Sequence, residues 1–120
     1  MPVRWSLPAD HSAAGLARRH VTSELESWEN IDDIALVVSE LTTNAVEHGG
    51  AAIDLSLELI QTRLRLTVAS VAGIGEPGVR QAADDEDGGR GLRIVSLLAE
   101  DWGWSRDGDR LAVWADFPAG

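Results

Sequence analysis

The chain contains no cysteine and no lysine; all ten of its basic residues are arginines. Without cysteine there is no disulfide framework, no thiolate zinc site and no cysteine nucleophile, a composition that suits a reducing cytoplasm. Without lysine there is no Walker A lysine, no protein-kinase strand lysine and no Schiff-base chemistry, so any nucleotide chemistry must use another design. No apolar run approaches the roughly 20 residues that a bilayer span needs, and no charged start leads into an apolar signal segment. Basic residues are few beside 20 acidic ones, and a net charge of -10 repels phosphate backbones unless a local basic face exists. None is visible in the sequence. The expectation is a soluble, cytoplasmic protein with no membrane partner and no direct nucleic-acid partner.

What remains is an ordinary globular composition, 44% hydrophobic and 25% charged over 120 residues. That length suits one domain spanning residues 1–120, able to bury roughly two-thirds of its unfolded surface. No repeat, low-complexity tract or linker divides it.

Alternation from Val3 to Leu7, ended by Pro8, predicts a short edge strand. Apolar residues at Ala13, Leu16, Ala17, Val21, Leu25 and Trp28 follow a 3.6-residue stripe. They predict a helix over 12–28, with Asp10 or Ser12 as N-cap. A second helix is expected from Asn30, paired with Asp33 in the manner of a capping box, to Gly49-Gly50. Its stripe is Ile31, Ile34, Ala35, Val38, Leu41 and Ala45. Two alternating segments around Gln61-Thr62 predict a hairpin with Leu59 opposite Leu64, Leu57 opposite Leu66, Leu55 opposite Val68, and Glu58 opposite Arg65. Residues 73–89 lack periodicity and read as one long loop. Arg90 to Asp101 reads as a third, well-buried helix. Asp107-Gly108 predicts a closing hairpin that pairs Trp104 with Leu111 and Trp102 with Val113. This order argues for an α+β, two-layer sandwich: a mostly antiparallel mixed sheet with three helices on one face.

Chemistry can sit in three places. On the second helix, Glu40, Asn44 and either Glu47 or His48 share a stripe beside the apolar one. An amide oxygen from Asn44 suits Mg²⁺, and Glu40 one turn away could accept a proton. The same four residues could equally form a solvated helix face, with His48 as a C-terminal cation on the helix dipole. His11 and His20 are isolated and carry no assignment. Gly88-Gly89-Arg90-Gly91-Leu92 opens the third helix, where free N–H groups can hold phosphate oxygens and Arg90 can add a donor fork, although four acids at 84–87 precede it. Ala72 to Gly78, with Gly73 and Gly75, permits either close ligand approach or a turn.

Glu40-Leu41-Thr42-Thr43-Asn44-Ala45-Val46-Glu47-His48 resembles the N box of the Bergerat-fold (GHKL) ATPases, specifically the bacterial anti-sigma-factor serine/threonine kinases. The resemblance runs from Leu7-Pro8 through the Gly89-Arg90-Gly91-Leu92 box to Trp102-Gly103 and Val113 to Ala115. It implies an ATP site between helices and sheet, with Asn44 on Mg²⁺ and Glu40 as the base activating a substrate serine. His48, Gly73, Gly75, Gly89, Arg90, Gly91 and Leu92 would line the nucleotide, under a lid at about 73–89. It further implies a cytoplasmic transcription regulator, commonly a homodimer, that binds a sigma factor and phosphorylates an anti-sigma-factor antagonist protein. One position departs from the pattern. Where the family places an Asp for the adenine amino group, this chain has Ser70, or Val71 if the alignment is shifted, and no acid occurs between Gln61 and Gly75. The departure keeps open an alternative, an interaction module without nucleotide binding or kinase activity. The ATP-binding half of a sensor histidine kinase fits less well, because 120 residues leave no room for a phosphoacceptor helix pair.

Overall fold

The computed structural model describes residues 2–48, 50–71 and 86–120. Eight elements follow in order: β1 (Val3–Leu7), α1 (Ala13–Glu24), α2 (Ile31–Glu47), β2 (Ala51–Ile60), β3 (Arg63–Val71), α3 (Glu86–Leu98), β4 (Asp101–Asp107) and β5 (Arg110–Pro118). The strands form one five-stranded sheet in the order β1-β2-β3-β5-β4. Every pairing among the described residues is antiparallel, so the sheet is not mixed as expected. β1 is an edge strand, as its flanking prolines required.

The inward rows of the sheet are those that alternation selected: Ile53, Leu55 and Leu57 on β2, Leu64, Leu66 and Val68 on β3, and Leu111, Val113, Ala115 and Phe117 on β5. Three helices cover this face. α2 packs on β3 and β5, with α1 beside it toward β1 and α3 toward β4. Ala13, Ala17 and Val21 of α1 and Ile34, Val37, Val38 and Leu41 of α2 complete the core. The α2 stripe is displaced from the expected one: Val37 is fully buried, while Ile31, Ala35 and Ala45 are half-buried. A helix clamped between two neighbours buries a wider arc than a single stripe.

The β2–β3 hairpin has the expected register, with Leu59↔Leu64, Leu57↔Leu66, Leu55↔Val68 and Glu58↔Arg65 around a turn at Gln61-Thr62. The second hairpin differs. Trp104 pairs with Val113 and Trp102 with Ala115, because the loop residues are Gly108-Asp109 and Gly108 takes φ +64°. The slip is two residues, so every side chain keeps its face.

Helix ends differ from expectation for local reasons. α1 stops at Glu24, and Trp28 N–H donates to the Leu25 carbonyl in a separate turn. At its start, Asp10 rather than Ser12 is the acceptor: its Oδ1 takes the Ser12 N–H at 2.8 Å and the Ser12 hydroxyl. Those bonds, the hydroxyl first, hold the Asp10 carboxyl below its ordinary range. The Asn30–Asp33 capping box does not form; Asn30 Nδ2 donates instead to the Pro118 carbonyl at 3.1 Å, tying α2 to the end of β5. α3 begins at Glu86 and ends at Leu98, one turn earlier at each end than expected. Glu100 N–H is drawn to the Asp116 carbonyl, and Asp101 starts β4. α3 is not buried throughout: Leu92 and Val95 face the core, whereas Leu97 is 77% exposed.

Candidate functional site

The helix-facing side of the sheet carries one polar interruption at its β3 end. Alternation places Ser70 in the inward row after Leu64, Leu66 and Val68, opposite the buried Leu111, and Val71 on the other face. Ser70 is 3% exposed. Of the two positions that the resemblance left open, Ser70 is the inward one.

Ser70 is brought against the end of α2 by Gly50. Gly50 N–H donates to the Ala45 carbonyl at 2.8 Å, the 6→1 bond of a Schellman-type helix end. A Cβ on Gly50 would lie 2.7 Å from that carbonyl oxygen and 2.9 Å from Ser70 Oγ. Only glycine lets helix end, β2 start and Ser70 meet. A register shift between Ala51 and Asp54, with Ala52 at φ 49°, bends β2 at the same place. Sequence reading used Gly50 only as a helix stop; the glycine pair at the helix end was the available signal.

Asn44 lies one residue before Ala45 and is 9% exposed. No hydrogen bond joins its side chain to another described residue, and its amide is not among the fully enclosed unpartnered atoms, which are Asn30 Oδ1 and Thr42 Oγ1. Glu40, one turn earlier and half-buried, points at α3: a Cβ on Gly91 would be 3.0 Å from Glu40 Oε1. Glu40 thus sits against Gly91 of α3, while Gly50 and Ser70 lie against the end of α2, one residue after Asn44.

Other expected members fall elsewhere. Glu47 lines a small groove with Asp10, His11 and Thr43 on the α1 side, away from the Glu40 stripe. His48 is exposed at the helix end, its N–H on the Asn44 carbonyl. Leu92 is a core side chain. Gly89, Arg90 and Gly91 lie within α3, not ahead of it, since the helix starts at Glu86. Gly73, Gly75, the Arg90 side chain and residues 73–85 of the expected lid lie outside the described residues. Residues 86–89, which were read as the end of that loop, are helical.

The model of the histidine kinase-like ATPase domain matches residues 7–117. The chain belongs to this family. No curated protein matches it in sequence. Among solved structures, the RsbU and RsbW domains of Rv1364c from Mycobacterium tuberculosis superpose with a TM-score of 0.71 at 22% identity, covering 99% of this chain and 34% of that one. The catalytic domain of histidine kinase ThkA gives 0.62 at 15% identity, covering 98% and 95%. The histidine kinase domain of the Erythrobacter litoralis EL346 blue-light activated histidine kinase gives 0.59 at 21%, covering 89% and 59%. This chain spans about a third of the length of the Rv1364c structure. These likenesses establish the α+β fold of the family.

For a histidine kinase-like ATPase domain the natural occupant is Mg·ATP, and the residues present fit it in two respects. The Asn44 amide, which bonds to no other described residue, offers a hard oxygen donor of the kind Mg²⁺ takes alongside water and phosphate. No group of three or more His, Asp or Glu among the described residues could hold a metal unaided, so the ion would arrive with the nucleotide. At Gly91 a side chain would press on the Glu40 carboxylate, so glycine is what lets α3 approach Glu40. No helix among the described residues is long and apolar enough to cross a membrane.

Proposed function

We propose that this domain binds Mg·ATP in the cleft between α2, α3 and the adjoining ends of β2 and β3, and acts as an anti-sigma regulatory factor. In this reading it holds a sigma factor and phosphorylates an antagonist protein on serine, in the cytoplasm and as a homodimer. The observation that carries the reading is that Glu40 of α2 meets Gly91 of α3, one helical turn from the buried Asn44. The Glu40–His48 and Gly89–Leu92 patterns and the likeness to a structure with an RsbW domain support the regulatory part.

Bound ATP supplies a transferable phosphoryl group. Asn44 would carry Mg²⁺ with its amide oxygen, and Glu40 would take the proton of the attacking serine hydroxyl. Main-chain N–H groups in the first turns of α3 would face the phosphates.

Calorimetric titration of Mg·ATP tests the reading. Asn44→Ala should weaken binding at least about tenfold, as loss of a metal-orienting group does. Glu40→Gln should bind within about threefold of wild type and lose roughly 10²–10⁴ in phosphotransfer rate to the antagonist. Phosphotransfer at the wild-type rate by Glu40→Gln removes the assigned base. A protein that binds sigma factor equally with and without nucleotide, and takes up no ATP, is the interaction module that Ser70 in place of an acid favours.

A further inference from the structure

Gly91 stands where glycine is unfavourable. It lies inside α3, beyond the first turn in which a helix leaves its N–H groups free. Glycine in a helix interior lowers the folding constant about fivefold relative to alanine. Its φ is not in the left-handed region, so the backbone conformation does not require it. What alanine would meet is Glu40: a Cβ at this point lies 3.0 Å from Glu40 Oε1 and 4.0 Å from Glu40 Cβ. The glutamate side chain therefore lies along α3 with a carboxylate oxygen against Gly91, and a methyl group there would claim the same space. Glu40 is half-buried, so a displaced carboxylate has solvent to turn into and the fold need not break.

We propose that Gly91 is a positioning residue: by presenting no side chain it lets α3 seat the Glu40 carboxylate, and so sets where the proton acceptor of the reaction stands. The inference rests on the reading above, in which Glu40 takes the proton of the attacking hydroxyl. Gly91 acts through Glu40 and touches no reacting atom. A base tolerates little displacement, since a misplacement of about 1 Å in the reacting geometry costs roughly 10²-fold in rate. A methyl in contact with Oε1 turns the carboxylate away from α3, and a change of rotamer moves it by more than that distance.

A double-mutant cycle on the nucleotide-free chain tests the contact, and phosphoryl transfer from Mg·ATP to water tests its purpose. In urea denaturation, Gly91→Ala should raise the folding constant about fivefold in the Glu40→Ala background, where helix propensity acts alone. With Glu40 present the same substitution should leave the constant unchanged or lower it. Equal effects in the two backgrounds overturn the inference, because alanine then acts independently of Glu40. At saturating Mg·ATP, Gly91→Ala should turn over at least about tenfold more slowly than wild type, while its Kd for Mg·ATP stays within about threefold. Turnover at the wild-type rate overturns the inference even where the cycle shows coupling. A Kd that rises in step with the loss of turnover also overturns it, by making Gly91 part of the nucleotide's own seat. A wild type that binds Mg·ATP without turnover leaves no reaction for the base to serve, and the inference fails. A wild type that binds no Mg·ATP defeats the nucleotide reading, and this inference with it; coupling in the stability cycle then shows that the contact stands and that the reading of the site is what failed.

Discussion

Thr42 sits two residues before Asn44 with no exposed surface, and its hydroxyl oxygen is enclosed without a partner. An unmade hydrogen bond of this kind costs about 1–3 kcal/mol, whereas valine fills nearly the same volume with no polar atom. Thr42→Val should therefore raise the urea unfolding free energy by about 1 kcal/mol, with the m-value and Mg·ATP affinity unchanged. Loss of stability would mean that the hydroxyl is satisfied in solution. Periodicity marked neither this residue nor Val37 as interior, because their burial comes from the helices flanking α2. Asn44, by contrast, was legible as inward from its place beside Leu41 and Ala45.

At the scale of the element, the exposed face of the sheet is held by a device that strand alternation does not reveal. Glu58 lies opposite Arg65 in register as expected, yet Arg65 turns the other way and grips Asp116 of β5 through two bonds of 2.8 and 2.9 Å. Its guanidinium also lies 4.0 Å above the Trp114 ring. Trp114 in turn covers Gly103, where a Cβ would meet the ring at 2.6 Å. Asp116 is 2% exposed on the face expected to be polar, shielded by these neighbours. Its bonds push the Arg65 pKa above the ordinary guanidinium value. A raised cation pKa contributes fully below the unfolded value, so this bridge stays intact from neutral to strongly alkaline pH. Arg65→Ala leaves the buried carboxylate with Arg63, 3.6 Å away, as its ion-pair partner among the described residues. It should cost about 3 kcal/mol in urea denaturation, against less than about 1 kcal/mol for Arg63→Ala, whose 3.1 Å partner Glu100 is exposed. Equal losses for the two would show that Asp116 is not shielded as described.

For the whole molecule, the proposed nucleotide site joins α2, α3 and two strand ends, so an occupant that spans it should resist global unfolding. At a Mg·ATP concentration 100 times its Kd, linkage gives about 2.7 kcal/mol, or a rise in Tm of roughly 10 °C for a chain of this size. Differential scanning calorimetry at one fixed Mg·ATP concentration should record that shift in wild type and at most about half of it in Asn44→Ala. A shift common to both would place the nucleotide elsewhere.

The sequence by itself determined the strand faces, the first hairpin's register, the three helices and the α+β class, because period and turn chemistry are local properties. It also marked Glu40, Asn44 and Ser70 as candidates. Tertiary structure alone decided that Gly50 lodges between the Ala45 carbonyl and Ser70, that Glu40 meets Gly91, and that Glu47 turns toward α1. It also moved the second hairpin's loop to Gly108-Asp109 and drew Asp116 out of solvent. Each of these depends on which faces meet. That is set by long-range packing, where backbones approach within van der Waals distance and a polar group is enclosed or left open by residues far away in the chain.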